Sequence, residues 1–233
     1  MPRDLPLTFG GVELLLMPER AVYRPDARTL YVADTHWGKS ATFRAGGIPV
    51  PPGGTAADFA RLTAALRRTG AERLVVLGDL LHARLGRREA ATNAAILAWR
   101  AEVDDVRVEL IRGNHDLAAG DPDPAWKIAT SPDPTPDPPF LLKHVPPSDP
   151  AGPTLAGHEH PAVRLHGPGG ETLKLPCFRI DERRGEGAVL TLPAFSSFAD
   201  GGLVRPRRGE RIALIAEDEV VEAPLRKPRG AFG

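Results

Sequence analysis

Five short apolar runs in this chain each stop at side chains that can bind a metal or move a proton. "LYVAD" ends on Asp34, with His36 two places on, and "LVVLGD" ends on Asp79. "VRVELIR" leads through Gly113 to Asn114, His115 and Asp116. "FLLKH" ends on His144, and "TLAGH" on His158, followed by His160. Imidazoles, carboxylates and an amide oxygen form a mixed N/O donor set. Such a set suits Mn, Fe or Zn rather than a thiolate site or an all-oxygen calcium cage. There are donors enough for two divalent ions with one carboxylate between them. Two metals roughly 3.5–4 Å apart clamp the attacking and leaving oxygens of an in-line phosphoryl displacement and lower the pKa of a bound water.

A single Asp at a strand end is ordinarily a turn residue, and a single His ordinarily a satisfied polar one. Here five of the seven histidines fall in one set of strand-end residues, and independent accidents do not produce that pattern. In an open α/β sheet, sites form at the carboxyl ends of strands, so these groups are expected to converge in one crevice. Gly78, Gly113 and Gly157 each precede a member of the set. They would allow close backbone approach or unusual dihedrals beside the ions, or simply make turns.

The elements that must position these groups are short and heavily punctuated, with 24 Gly and 25 Pro in 233 residues. Besides the five runs, "VELLLM" (12–17), "AVYR" (21–24), "LKLPCFRI", "AVLTLPAF" and "RIALIAEDEVV" read as strands. One helix is predicted from a cap at Thr55, with Asp58 at the capping-box offset, Phe59, Leu62 and Leu66 inside, and Gly70 as the stop. A second covers roughly Arg88 to Glu102, with Ile96 and Trp99 inward. The Pro-rich "SPDPTPDPP" (131–139) reads as a surface loop, and 224–233 as a frayed tail. Helices early and successive strands late predict packed sheets covered by helices.

Thirty basic and thirty acidic residues cancel, so bulk charge announces neither a nucleic acid nor a membrane, and any basic binding surface must be local. The one cysteine, Cys177, lies in an apolar run and reads as buried; with no intrachain disulfide to make, a reducing, cytoplasmic setting is expected. No apolar run is long enough to span a bilayer, and no leader-like segment opens the chain.

"DTH" (34–36), "GDLLH" (78–82), "GNHD" (113–116), His144 and "GHEH" (157–160) resemble, in order, the motif blocks of the calcineurin-like metallophosphoesterase superfamily. The resemblance implies a four-layer α/β/β/α sandwich of two mixed sheets flanked by helices, spanning 1–233 as one domain. It implies that Asp34, His36 and His160 hold one metal, that Asn114, His144 and His158 hold the other, and that Asp79 bridges. His115 would serve the scissile phosphate or the leaving oxygen, a role that suits an imidazole's ordinary pKa. Asp116 would orient that imidazole, or act as a simple turn acid.

A closer likeness, over most of the chain, is to the small bacterial ligase-associated DNA-damage-response endonucleases. It is carried by "LLMPERAVY" (15–23), "ADTHWGKSATFRAGGIPVPPGG" (33–54), "RLVVLGDLLHARLG" (73–86), "LAGHEHPAVRL" (155–165), "LPCF" (175–178) and "LPAFSSFADG" (192–201). Thr35 and Trp37 stand where that family more often has Leu; neither departure removes a ligand, and the one at Trp37 would alter the rim of the pocket. The likeness implies Mn-dependent phosphodiesterase activity on DNA and a functional link to a DNA ligase and helicase repair set. Lys39, Arg44, Arg84, Arg87 and Arg88 would then pair with flanking phosphates, or be solvated surface. His82, three residues after Asp79, is a candidate for a substrate contact or for support of a ligand. Phe43 reads as core, and His166 lies outside every block. Small cyclic or dinucleotide phosphodiesters are the alternative substrates. A non-catalytic scaffold is disfavoured because His115 and every ligand type are present. Oligomeric state is not legible in the residues.

Overall fold

The structure is a computed structural model and describes residues 2–40, 43, 47, 54–83, 89–167, 169–182 and 187–223. Its first sheet is made of β1 (Leu5–Phe9), β2 (Val12–Met17), β3 (Ala21–Arg24), β4 (Thr29–Val32), β5 (Arg73–Leu77), β6 (Arg107–Ile111) and β7 (Ile128–Ser131), in that spatial order. β1 to β4 pair antiparallel as a meander, and β4 to β7 run parallel. The parallel strands read as unbroken apolar runs because both faces are covered. Leu30, Val32, Leu74, Val76, Val108 and Leu110 face one core, and Tyr31, Ala33, Val75, Leu77 and Ile111 the other.

Two helices cover the outer core: α1 (Gly54–Thr69) through Phe59, Leu62 and Leu66, and α2 (Ala90–Glu102) through Ile96 and Trp99. α1 ends where Gly70 turns at φ +63° and returns its N–H to the Leu66 carbonyl. Its start differs from the predicted cap. Thr55 lies within the helix, and the buried Asp58 carboxylate is engaged by Arg61 and by the Ser197 amide.

The second sheet contains β8 (Thr135–Asp137), β9 (Phe140–Leu142), β10 (Thr154–Ala156), β11 (Pro161–His166), β12 (Thr172–Asp181), β13 (Val189–Thr191) and β14 (Gly202–Leu203). β15 (Glu210–Ala216) adds to β12, and β16 (Glu219–Glu222) to β15. Phe140, Leu142, Leu155, Phe178, Leu190 and Ile215 pack against the inner face of the first sheet, which makes the two mixed sheets a sandwich. On the outer face of the second sheet the described residues place a small cluster of buried Cys177, Ile212 and Leu214. Burial pushes the Cys177 thiol up to about 12, so it is an inert packing group.

The Pro-rich 131–139 is not all loop. Ser131 closes β7, and Thr135–Asp137 forms β8 at the sheet edge, antiparallel to β9 alone. An edge strand needs hydrogen bonds on one side only, which is where proline is tolerated. Asp137 fastens it, accepting the Tyr31 hydroxyl at 2.6 Å and the Arg73 guanidinium at 2.8 Å. No helix among the described residues is long and apolar enough to cross a membrane. The 224–233 tail lies outside the described residues.

Candidate metal centre

All the strand-end residues come from the carboxyl ends of five strands, β4, β5 and β6 in one sheet and β9 and β10 in the other. The loops after β4 and β5 are zipped together by their own backbones. Asp34 N–H donates to the Gly78 carbonyl (3.1 Å), His36 N–H to Asp79 (2.9 Å) and Trp37 N–H to Leu80 (2.8 Å). The second sheet joins the same seam, where Phe195 N–H donates to Ala33 (2.7 Å) and Ser196 N–H to Asp34 (3.3 Å).

Asp34, His36, Asp79, His158 and His160 all have φ between +46° and +69°. That region costs a non-glycine residue of order 1–3 kcal/mol and persists only where the surroundings impose it. Five such residues in one crevice mark a built site. Gly78 and Gly113 make it possible at close quarters. A Cβ on Gly78 would stand 2.1 Å from His144 Nδ1, and one on Gly113 2.4 Å from Asp79 Oδ1.

Two donor groups result. Asp34, His36 and His160 offer one atom each within 4.8 Å of one another, as do Asp79, His144 and His158. His36 and His160 oppose their Nε2 atoms at 3.4 Å, and His160 Nε2 lies 3.4 Å from Asp34 Oδ1. In the second group His144 Nε2 faces His158 Nδ1 at 3.0 Å, Asn114 Oδ1 at 2.9 Å and Asp79 Oδ1 at 3.4 Å. Asp34 also accepts the His158 backbone N–H at 2.8 Å and stands 3.8 Å from His144 Nδ1, which holds the two groups side by side.

These residues fit two cations. His144 Nδ1 lies 3.0 Å from the Leu77 carbonyl, which can only accept, so Nδ1 carries the proton and Nε2 presents a bare lone pair. That lone pair points among other acceptors. Asp34 Oδ1 is fully buried and has no hydrogen-bond partner among the described residues. Burial pushes the Asp79 carboxyl above its usual range, with the Asp34 charge adding to the push. Burial, helped by neighbouring cationic groups, pushes the His36 imidazole down to about 2, leaving it in the neutral form a ligand needs. Lone pairs and buried carboxylates without protons to share are satisfied by divalent cations.

His115 stands apart from this set. Its backbone N–H donates to Asp79 Oδ1 at 3.0 Å, and its Nδ1 faces the His82 carbonyl at 2.8 Å. The same acceptor argument places a proton on Nδ1, and Nε2 lies 3.9 Å from Asp79 Oδ2 on a ring that is 38% exposed. His82 stacks on it with ring centroids 5.4 Å apart. The imidazole is thus oriented by the His82 carbonyl and ring, not by Asp116.

Asp116 has a different task. Its buried carboxylate accepts the N–H groups of Asp79 (2.7 Å), Leu80 (3.0 Å) and Gly113 (2.9 Å), tying the β5 loop to the start of α3 (Asn114–Ala119). Removing it leaves buried amides without an acceptor. Asp116→Ala is therefore expected to destabilise the fold by about 3 kcal/mol, lowering Tm by roughly 6–12 °C. His115→Ala should leave Tm within about 2 °C. Thermal unfolding of the pair checks this; an unchanged Tm in Asp116→Ala would return the carboxylate to a role on His115.

Of the basic candidates, Lys39 is half-buried near His36 and His82, with Nζ 5.7 Å from the Phe43 ring centroid. Phe43 is half-buried beside His82 rather than in the core. Arg44, Arg84, Arg87 and Arg88 lie outside the described residues. Trp37 is not at the rim. It is 1% exposed, packed against the stacked pair of Phe59 and Trp99 at 5.0 and 5.3 Å, and anchors the β4 loop in the outer core. His166 is exposed on β11, far along the strand from His160.

The model of the calcineurin-like phosphoesterase family matches residues 27–151. Among solved structures, the crystal structure of the nuclease MPE of Pseudomonas putida is 38% identical, covering 95% of this chain and 100% of that one, with a TM-score of 0.82. Yfce, a phosphoesterase from E. coli, is 16% identical over 82% of this chain and 88% of its own, at a TM-score of 0.40 that adds no argument. No curated protein matches the chain. The matched region runs from β4 through His144, and the likeness to the nuclease extends over both sheets. The chain belongs to the calcineurin-like phosphoesterase family, metal-dependent hydrolases built on a binuclear centre.

Proposed function

We propose that this protein is a Mn-dependent phosphodiesterase that cleaves DNA as an endonuclease, in association with DNA repair. The observation that carries the reading is the pairing of two donor groups with one imidazole, His115, that belongs to neither and whose ring is 38% exposed. The likeness to a nuclease at 38% identity supports the substrate class. In this reading Asp34, His36 and His160 would hold one ion, Asn114, His144 and His158 the other, and Asp79 would serve both. Bound there, the two ions supply an activated water and neutralise charge on the phosphoryl group. The chain does the rest. The buried carboxylates and oriented imidazoles fix the ions' positions, and the crevice between the sheets fixes the approach of the phosphate. His115 Nε2 holds the proton that the leaving oxygen takes. No side chain need form a covalent bond to phosphorus.

The test is a substrate panel with added Mn²⁺: a chromogenic phosphodiester, its monoester, a cyclic dinucleotide and supercoiled plasmid. Turnover of the diester well above the monoester, together with plasmid nicking, is the expected result. Diester and cyclic-dinucleotide turnover without cleavage of any DNA would replace the endonuclease reading by the small-substrate one.

A further inference from the structure

A trough of about 950 Å³ opens beside His158, the exposed member of the second donor group, and runs along residues 202–207. Glu159 is the one acid among its described lining residues, and its carboxylate is held by Arg179 at 2.7 Å. Arg205 and Arg207 also line it. Both are exposed, and neither side chain has an ion pair among the described residues. The trough that begins at His158 therefore carries uncompensated positive charge, on a chain whose overall charge is zero. A local basic track of this kind is what a neutral protein needs in order to hold a polyanion.

The track is fastened to the ligand loop rather than hanging from it. β14 pairs parallel to β11, with Gly202 N–H on the His160 carbonyl (2.8 Å) and Val204 N–H on Ala162 (2.9 Å). A side chain on Gly202 would put its Cβ 2.5 Å from the Glu159 carbonyl oxygen, so the two segments lie in direct contact. Beyond, the fully buried Glu210 takes both the Arg179 guanidinium (2.9 Å) and the Arg207 backbone N–H (3.0 Å). Pro206 limits the backbone between the two free arginines. Residues that place His160 also place Arg205 and Arg207.

We propose that this trough seats the phosphate backbone of the DNA strand where it leaves the metal centre past His158, with Arg205 and Arg207 pairing to its phosphates. The inference rests on the endonuclease reading above. Guanidinium groups meet phosphate oxygens in pairs and carry no base information, so the track adds affinity without sequence preference.

The experiment compares the wild-type protein with the double variant Arg205→Ala/Arg207→Ala, measuring kcat/KM on an oligonucleotide and on a chromogenic diester over a NaCl series. The chromogen is too small to reach the track, and its kcat/KM should change less than about twofold, whereas DNA cleavage should fall about tenfold or more at low salt. The log–log salt dependence should become shallower by roughly 1.4 to 1.8, the share of two phosphate contacts. Arg205→Lys/Arg207→Lys should restore most of the loss. Equal losses on both substrates, or an unchanged salt slope, would overturn the track. A wild-type protein that turns over the chromogen but cuts no DNA would instead sink the endonuclease reading itself.

Discussion

Asp79→Asn is expected to lower phosphodiester turnover by about 10³-fold and bound metal by about half, while the protein stays folded. The side chain is 2% exposed and lies 3.4 Å from His144 Nε2, with its Oδ1 also accepting the His115 amide. Asparagine keeps that shape and can still accept the amide, but brings no charge and only one oxygen. If Asp79 spans both ions, losing the second oxygen releases one of them, and the remaining centre no longer clamps both sides of the phosphoryl group. Metal content by atomic emission, with Tm and turnover on the same preparation, checks the result. Wild-type metal content together with wild-type turnover would remove Asp79 from the bridging position.

The second large effect concerns His115→Ala, for which kcat on DNA should fall by about 10²–10⁴-fold at unchanged metal content. The loss should depend on the leaving group. A nitrophenolate departs without a proton, so a chromogenic diester should lose under about tenfold, while an alkoxide-like deoxyribose oxygen cannot leave cheaply without one. The geometry behind this is the fixed tautomer: Nδ1 is committed to the His82 carbonyl at 2.8 Å, which reserves Nε2 for the substrate side. Equal losses on both substrates would make His115 a phosphate contact instead of the acid. Unchanged turnover on both would take it out of the reaction.

The strand-end donors were legible because their residue types are scarce and chemically loud. Seven histidines in the whole chain leave little room for five to gather by accident. The sandwich was legible for a related reason, since aliphatic runs such as "RLVVL" can be covered on both faces only between two cores. What stayed hidden depends on who meets whom across space. Asp116 precedes a turn in either reading, and only the fold shows that the amides of Asp79 and Leu80 come to it. Trp37 neighbours two ligands in sequence, yet its indole points away from them into the helices. Asp58 has capping-box spacing but faces Arg61 and Ser197. Three residues of a Pro-rich run form a strand because an edge asks less of the backbone than propensity assumes. Arg205 and Arg207 gave no signal at all: a basic pair on an exposed segment looks the same whether it borders a reaction centre or nothing.

The seam between the sheets has a consequence for folding. Asp34, His36, Asp79 and Asn114 come from the first sheet, and His144, His158 and His160 from the second. The last strand, β16, closes back onto the first residues, with Arg3 N–H on the Asp218 carbonyl (2.8 Å) and Val220 N–H on Arg3 (3.0 Å). Pairings this distant in sequence cost more loop-closure entropy than local ones and form after them. The first sheet by itself carries four of these seven donors. The donors gather only once the two sheets have packed, so assembly of the centre is coupled to closure of the sandwich.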